Sequence, residues 1–96
     1  MLEQVMVTTE SPAILKPLLK AAIQNESRQL AHGIKRTKER LPAFEKQFGM
    51  SSDDFRRRFE AGEINETLDI IDWLMEIEAL RLLDEQYQAL KHARFN

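Results

Sequence analysis

The fold is decided by residues 49–64, which read GMSSDDFRRRFEAGEI. Ser51 is a favourable N-cap, and Asp54 lies three residues later, where a capping box places an acidic residue. Met50 and Phe55 occupy the two positions of a hydrophobic staple. A glycine follows near the end of the stretch, in the place where a left-handed residue commonly stops a helix. These residues therefore predict a complete short helix with its own start and stop.

A long helical pattern precedes the short helix, and another follows it. The first covers residues 12–48, with Ser11 as its cap and Pro12 at the first helical position, where a missing N–H group costs no hydrogen bond. Pro17 either kinks the first turns or marks the true start one turn later, and Pro42 is expected to bend the helix. A continuous helix of this length would span about 55 Å, which one short chain cannot cover by itself.

Apolar residues of the first helix repeat at intervals of four and three residues, which is a heptad pattern that contains one threonine. The positions are Leu30, Ile34, Thr37, Leu41, Phe44 and Phe48. Gly33 either weakens this helix by about 1 kcal/mol relative to alanine or allows another backbone to approach closely. The pattern predicts that this face packs against another helix.

The last helix is expected to begin at Asn65, a favourable cap, with Glu66 in its first turn, and to end near His92. Its apolar residues cover two adjacent sides instead of one stripe. One side contains Ile64, Leu68, Ile71, Met75 and Leu82, and the other contains Ile70, Trp73, Ile77, Leu80 and Tyr87. A helix that is apolar over so wide an arc is usually buried against several neighbours.

The composition supports this arrangement, because 3 glycines and 3 prolines in 96 residues leave little material for turns. The hydrophobic fraction of 43% is typical of a globular chain. We predict one all-α domain over residues 1–96, built from a long kinked helix, a short capped helix and a second long helix. Residues 1–10 form either a short strand or an extended tail, and we favour the tail in so helical a chain.

Catalytic and cofactor chemistry has no visible residues in this sequence. The absence of cysteine removes thiolate nucleophiles and cysteine-based zinc sites, and it fits a reducing cytoplasm. The two histidines, His32 and His92, lack an acidic or histidine partner at metal-ligand spacing.

The first residues do not resemble a secretion signal, and no apolar run has the length of a membrane span. We expect a cytoplasmic protein that is not an enzyme and holds no metal or cofactor.

The net charge is only −2, but the charges are unevenly distributed. The first long helix is basic in its middle, and residues 60–78 contain acidic side chains with no lysine or arginine between them. The acidic stretch is either a solvated helix surface or a patch that binds a basic partner. In the second interpretation the partner-binding residues are Glu63, Glu66, Asp69, Asp72 and Glu76.

Three arginines, Arg56, Arg57 and Arg58, lie on the short helix between Phe55 and Phe59. The two phenylalanines share one face, so the arginines are expected to point away from the rings. They form either a solvated surface whose stems cover apolar atoms or a site of nucleic-acid contact through phosphate groups. The acidic opening of the following helix argues against a helix-turn-helix reader, because carboxylates repel phosphate.

The long first helix and the wide apolar arc of the last one predict an intertwined helical homodimer. Tryptophan is enriched at interface hot spots, so the single tryptophan suits such an interface. The expected dimer interface contains Leu30, Ile34, Leu41, Phe44, Trp73, Ile77 and Leu80, with Ile71 and Leu74 also buried.

Residues 50–80 also resemble an uncharacterised antitoxin-like family of small prokaryotic proteins. The shared pattern is a serine-capped short helix, then aromatic–basic–basic–aromatic–Glu–x–Gly–Glu–aliphatic, an acidic turn and a helix that contains tryptophan. It matches Ser51, Phe55, Arg57, Arg58, Phe59, Glu60, Gly62, Glu63, Ile64, Asp69 and Trp73. The resemblance implies a protein that neutralises a small ribonuclease toxin encoded beside it.

We therefore expect a non-enzymatic protein–protein interaction module of the antitoxin-like kind, whose acidic stretch covers the basic surface of a ribonuclease toxin. The alternative is a nucleic-acid-binding regulator. It would use the three arginines of the short helix together with the basic helix face that contains Lys35, Arg36 and Arg40. No small-molecule or membrane partner is indicated.

Overall fold

The computed structural model describes residues 2–94, which form three helices. Helix α1 spans Pro12–Phe48, α2 spans Ser52–Glu60 and α3 spans Leu68–Lys91. Residues 2–9 form neither helix nor strand and are exposed, in agreement with an extended tail. The predicted all-α order of long, short and long helices is confirmed for residues 2–94. Met1, Phe95 and Asn96, which the single-domain prediction includes, lie outside the described residues.

Helix α1 begins at Pro12, as predicted, but Ser11 does not cap it with its side chain. The Ser11 carbonyl instead accepts the Leu15 N–H group at 2.9 Å, as the first intrahelical hydrogen bond. The alternative start at Pro17 is wrong, because the helix is already formed before it. The helix continues through Pro42 and reaches its full length of 37 residues.

Local signals set the ends of α2, as predicted. The Ser51 hydroxyl accepts a hydrogen bond from the Asp54 N–H group at 3.1 Å, which caps the N-terminus. At the other end, the N–H group of Glu63 donates to the carbonyl of Arg58 at 2.9 Å, and Gly62 donates to Phe59 in the same turn. These two bonds form a Schellman motif. Its left-handed residue is Gly62, with φ of 75°, a conformation that glycine adopts without steric cost.

Helix α3 begins two residues later than predicted, because Thr67 and not Asn65 is its N-cap. Thr67 has an extended backbone, and its hydroxyl accepts the Ile70 N–H group at 3.2 Å. The preceding connector contains a bend at Ile64, which packs against the core. The helix ends at Lys91 with His92 as its C-cap, which agrees with the predicted end near His92.

The core lies where the three helices meet. Phe55, Ile70 and Trp73 are buried there. They are surrounded by partly buried Leu41, Phe44, Phe48, Met50, Phe59, Ile64, Leu74 and Ile77. The Trp73 ring stacks on Phe55, with 4.0 Å between ring centroids, and its Nε1 donates to the Ser52 hydroxyl at 3.1 Å. One tryptophan therefore joins α2 to α3 through both packing and a hydrogen bond.

Helices α1 and α3 pack antiparallel in a fixed register. Three contacts define it: Gly33 with Leu83, Arg40 with Glu76, and Gln47 with Asp69. The two residue numbers add up to 116 in each pair, so the last residue of α3, Lys91, lies beside residue 25 of α1. Residues 12–24, which we name the α1 arm, therefore extend beyond the end of α3.

Gly33 lies at a close contact between α1 and α3, although not with a second backbone, as one of its two predicted roles required. A Cβ atom at this position would lie 3.3 Å from Cδ1 of Leu83. The approaching group is a leucine side chain and not a second backbone. Glycine thus lets α3 lie close to α1 at the middle of their contact.

The α1 arm makes the molecule elongated, with extents of 57 × 26 × 19 Å. The radius of gyration is 18.7 Å, whereas a compact chain of this length has about 13 Å. A single copy of the chain therefore leaves much of its helical surface without a covering element.

Candidate protein-binding surface

The two apolar sides of helix α3 are opposite faces, and not adjacent ones as predicted, and only one of them packs inside the chain. Ile70 and Trp73 lie on the packed face and are 5% and 0% exposed. The other face contains apolar residues at intervals of three, four and seven, a helical spacing that places them on one side. They are Leu68, Ile71, Met75 and Leu82, with exposed fractions of 85%, 38%, 64% and 44%. We name this row the α3 seam.

The α3 seam was partly visible in the sequence, which grouped these four residues on one side of the helix. The sequence also placed Ile64 on that side, but Ile64 precedes the helix and packs against the core instead. What the sequence could not indicate is which of the two apolar sides would remain uncovered.

The residues predicted for a dimer interface lie mostly on the packed side of the chain. Leu30 and Trp73 are buried, and the remaining five are partly buried: Ile34, Leu41, Phe44, Ile77 and Leu80. Of these five, Leu41, Phe44 and Ile77 pack against the core cluster of their own chain. In this conformation they stabilise one copy, and their part in a homodimer stays a prediction. Ile71, also expected to be buried, is exposed on the α3 seam.

The predicted acidic patch is divided between two environments. Glu76 is 16% exposed at its side chain and pairs with Arg40 at 2.8 Å, and Asp69 accepts a hydrogen bond from Gln47 at 3.0 Å. These two carboxylates therefore contact α1. Glu63, Glu66 and Asp72 are exposed and form no ion pair among the described residues. Part of the acidic stretch thus contacts α1, and the other part faces solvent.

Further along α3, Arg81 lies between two glutamates and offsets part of their negative charge. Arg81 pairs with Glu78 one turn before it and with Glu85 one turn after it, at 2.6 Å for Glu85. The hydrogen bond from Arg81 is the main reason that the pKa of Glu78 lies below its usual value. The same bond raises the pKa of Arg81 above its usual value. One arginine thus offsets part of the charge of two glutamates, while Asp84 beside them is exposed and forms no ion pair within residues 2–94.

The arginines of α2 lie on its exposed side, as the sequence predicted. Arg56, Arg57 and Arg58 are all exposed, and Arg57 forms an ion pair with Asp54 on the same helix. Arg56 and Arg58 form no ion pair within residues 2–94. Phosphate contact is thus sterically possible for two of the three.

The basic face of α1 borders an open depression of about 280 Å³ between α1 and α3. Lys35, Arg36 and Arg40 are exposed on α1, and the last of these is engaged by Glu76. The depression is lined by Gly33, Arg36, Thr37, Arg40, Glu76, Ala79 and Leu83. This set combines an ion pair with aliphatic surface and the buried hydroxyl of Thr37.

Two further observations concern ligands and membranes. His32 and His92 are exposed, and the described part of the chain contains no group of three histidine, aspartate or glutamate side chains arranged to hold a metal ion. Among the helices of residues 2–94, none combines the length and the apolar character that crossing a membrane requires.

The chain exposes more surface than a compact protein of its size. Its solvent-accessible surface is 8040 Å², whereas roughly 5700 Å² is expected for a compact fold. The exposed tail explains a part of the difference. The α1 arm contributes as well, with Ile14 and Leu18 at 66% and 60% exposure. The sequence analysis missed these two residues, although their spacing of four already placed them on one helix face.

Comparison of the chain with protein-family models, with curated proteins and with solved structures gave no match. The resemblance of residues 50–80 to antitoxin-like proteins therefore stays a hypothesis.

Proposed function

We propose that this chain is a non-enzymatic protein–protein interaction module. The observation that carries the proposal is the α3 seam, a row of four large apolar side chains facing solvent on a helix whose opposite face is already packed. Contiguous exposed apolar surface on a small protein is typical of a binding site for another protein. The elongated shape supports the same conclusion, because a rod presents more surface for binding than a sphere of equal mass.

We further propose that a partner is a basic protein, such as the small ribonuclease toxin that the antitoxin-like resemblance implies. Support comes from the end of α2 and the connector that follows it, where Glu60, Glu63 and Glu66 are exposed and form no ion pair within residues 2–94. Charges arranged in this way attract a complementary surface and accelerate its association. The absence of cysteine makes the reducing cytoplasm the expected location of the complex.

Charge reversal tests this partner. The double variant Glu63→Lys with Glu66→Lys is expected to weaken binding of the product of the neighbouring gene about tenfold, because two attractive contacts become repulsive. Binding is measured by co-purification and then by titration calorimetry. Glu63 and Glu66 are suitable because they precede α3, whereas Asp69 contacts Gln47 and its change would disturb the fold.

The matched control is Glu3→Lys with Glu10→Lys, which changes the net charge equally on the exposed tail. It is expected to bind like the unchanged chain. Failure of the unchanged chain to bind the neighbouring product would remove the toxin proposal. Equal loss in both double variants would show that only the net charge matters and not the acidic connector.

Nucleic-acid binding is the second candidate, favoured by the exposure of Arg56 and Arg58 without an ion pair among the described residues. If it is correct, a labelled RNA or DNA oligonucleotide binds at low salt, and the affinity falls steeply as salt is added. Arg56→Glu with Arg58→Glu is expected to abolish the binding, and Arg94→Glu serves as the control. Absence of any shift in a gel assay at low salt would eliminate this candidate.

A further inference from the structure

We propose that two copies of this chain pair reciprocally, with the α1 arm of each copy covering the α3 seam of the other. This goes beyond the proposed function, because it assigns an occupant to the exposed apolar face of α3. The occupant is a specified segment of a second copy. Four properties of the two surfaces support the assignment: position, length, charge and area.

The position of the α1 arm makes it available to a second copy. In the antiparallel register, α3 ends beside residue 25, so no part of α3 lies beside residues 12–24. The arm nevertheless continues the apolar stripe of α1, with Leu15, Leu19 and Ile23 in the row that leads to buried Leu30. The stripe that packs against α3 within the chain therefore runs on past the end of α3, with Leu15, Leu19 and Ile23 half-buried and Leu18 exposed.

The lengths of the two surfaces agree. From residue 12 to residue 24 the helix rises about 18 Å, and the α3 seam from Leu68 to Leu82 rises about 21 Å. A two-fold axis level with residue 30 of α1, and on the side of α3 that faces away from α1, would bring residues 12–24 of each copy level with residues 68–80 of the other. One closed, symmetric dimer then covers both arms and both seams.

The charges of the two surfaces are complementary. The arm contains Lys16 and Lys20 and no acidic residue. Residues 68–82 contain four carboxylates and a single arginine, and Asp72 at the border of the seam is exposed without an ion pair within the described chain. Pairing two seams with each other would bring like charges together, whereas pairing arm with seam brings opposite charges together. Charge therefore selects the arm over a second seam.

The exposed area is sufficient for a stable dimer. The chain exposes roughly 2300 Å² more than a compact fold of its size, and a stable interface buries only about 800 Å² from each partner. The tail accounts for a part of the excess and the helices for the rest. Covering both seams and both arms would bring the assembly closer to the surface expected for a compact protein.

The first test changes each surface separately. Leu18→Asp in the arm and Met75→Asp in the seam alter side chains that are 60% and 64% exposed, so each variant is expected to keep its helical circular dichroism. Sedimentation equilibrium is expected to show a dimer for the unchanged chain and a dissociation constant at least about a hundredfold higher for either variant, since each change acts twice per dimer. Met6→Asp, at a tail position 87% exposed, is the matched control and keeps the dimer.

The outcomes separate the possible arrangements. A monomeric unchanged chain at every concentration overturns the proposal and leaves the seam to a different protein. A dimer that persists in both variants overturns it as well. Dissociation by Met75→Asp alone would indicate that two seams pair with each other, which also contradicts the role of the arm.

The second test measures proximity and uses the absence of native cysteine. The register places Met75 opposite residue 41 of its own chain, which is about 35 Å along α1 from Leu18. A short bis-maleimide reagent can therefore join Leu18→Cys to Met75→Cys only between two chains. A covalent dimer is expected for the double variant and not for either single variant, nor for Leu18→Cys with Arg57→Cys. A dimer that gives no cross-link overturns the arrangement.

The two proposals can fail independently. The assay of Glu63 and Glu66 leaves the arm and the seam unchanged, and the assay of Leu18 and Met75 leaves the acidic connector unchanged. A dimer that binds no neighbouring product, or a monomer that binds one, would each be a clear result.

Discussion

Replacing Trp73 with alanine is expected to lower the free energy of unfolding by about 3–5 kcal/mol, the largest effect of any single change in this chain. The side chain is 0% exposed and stacks on three phenylalanines. Truncation removes its contacts with α1 and α2 and leaves a cavity in the core. Small domains are stable by only about 5–15 kcal/mol, so this loss is a large part of the total stability.

The measurement is urea unfolding followed by circular dichroism at one fixed protein concentration, because association would add to the apparent stability. Trp73→Phe is the matched control. It keeps an aromatic ring against Phe55 but loses the hydrogen bond from Nε1 to Ser52, so its loss is expected to be smaller. A loss below about 1 kcal/mol for the alanine variant would contradict the central role of Trp73 in the core.

Replacing Phe55 with alanine is expected to cost about 3–4 kcal/mol and to release α2 from the other helices. Phe55 is 0% exposed and is the only buried residue within Ser52–Glu60. Helices α1 and α3 still contact each other through Phe44 and Phe48 against Trp73, so their contact survives the change. Amide hydrogen exchange is therefore expected to accelerate first and most in α2.

The control for Phe55 is Phe59→Ala, on the same face of α2 with 6.1 Å between the two ring centroids. Phe59 is only partly buried, so a loss of less than half that of the Phe55 variant is expected. Exchange that stays equally slow in all three helices after Phe55→Ala would show that α2 does not depend on this ring for its position.

Signals within a few residues of each other were read correctly from the sequence. The N-cap at Ser51 and the stop at Gly62 depend on hydrogen bonds between neighbours in the chain, so the short helix was predicted with its ends. Pro12 likewise marked the start of α1. The start of α3 was wrong because Asn65 and Thr67 are both favourable caps. The choice between them depends on how Ile64 reaches the core.

Properties that depend on distant parts of the chain were not predictable. The register of α1 against α3 decides that Glu76 contacts Arg40 and that Lys91 lies beside residue 25. The periodicity of either helix alone does not predict this register. The sequence therefore could not distinguish the acidic residues that contact α1 from those that face solvent. The same register decides that the arm extends beyond the end of α3.

The single tryptophan is an intrinsic fluorescent probe, and its position makes it sensitive to one end of the molecule only. Trp73 lies at the junction of the three helices and is shielded from solvent, so its fluorescence follows the environment of that junction. The α1 arm contains no fluorescent side chain and lies at the far end of a rod 57 Å long. Ellipticity, in contrast, is a sum over every helical turn. Recording both signals during one melt would distinguish fraying of the arm from loss of the junction, without any label.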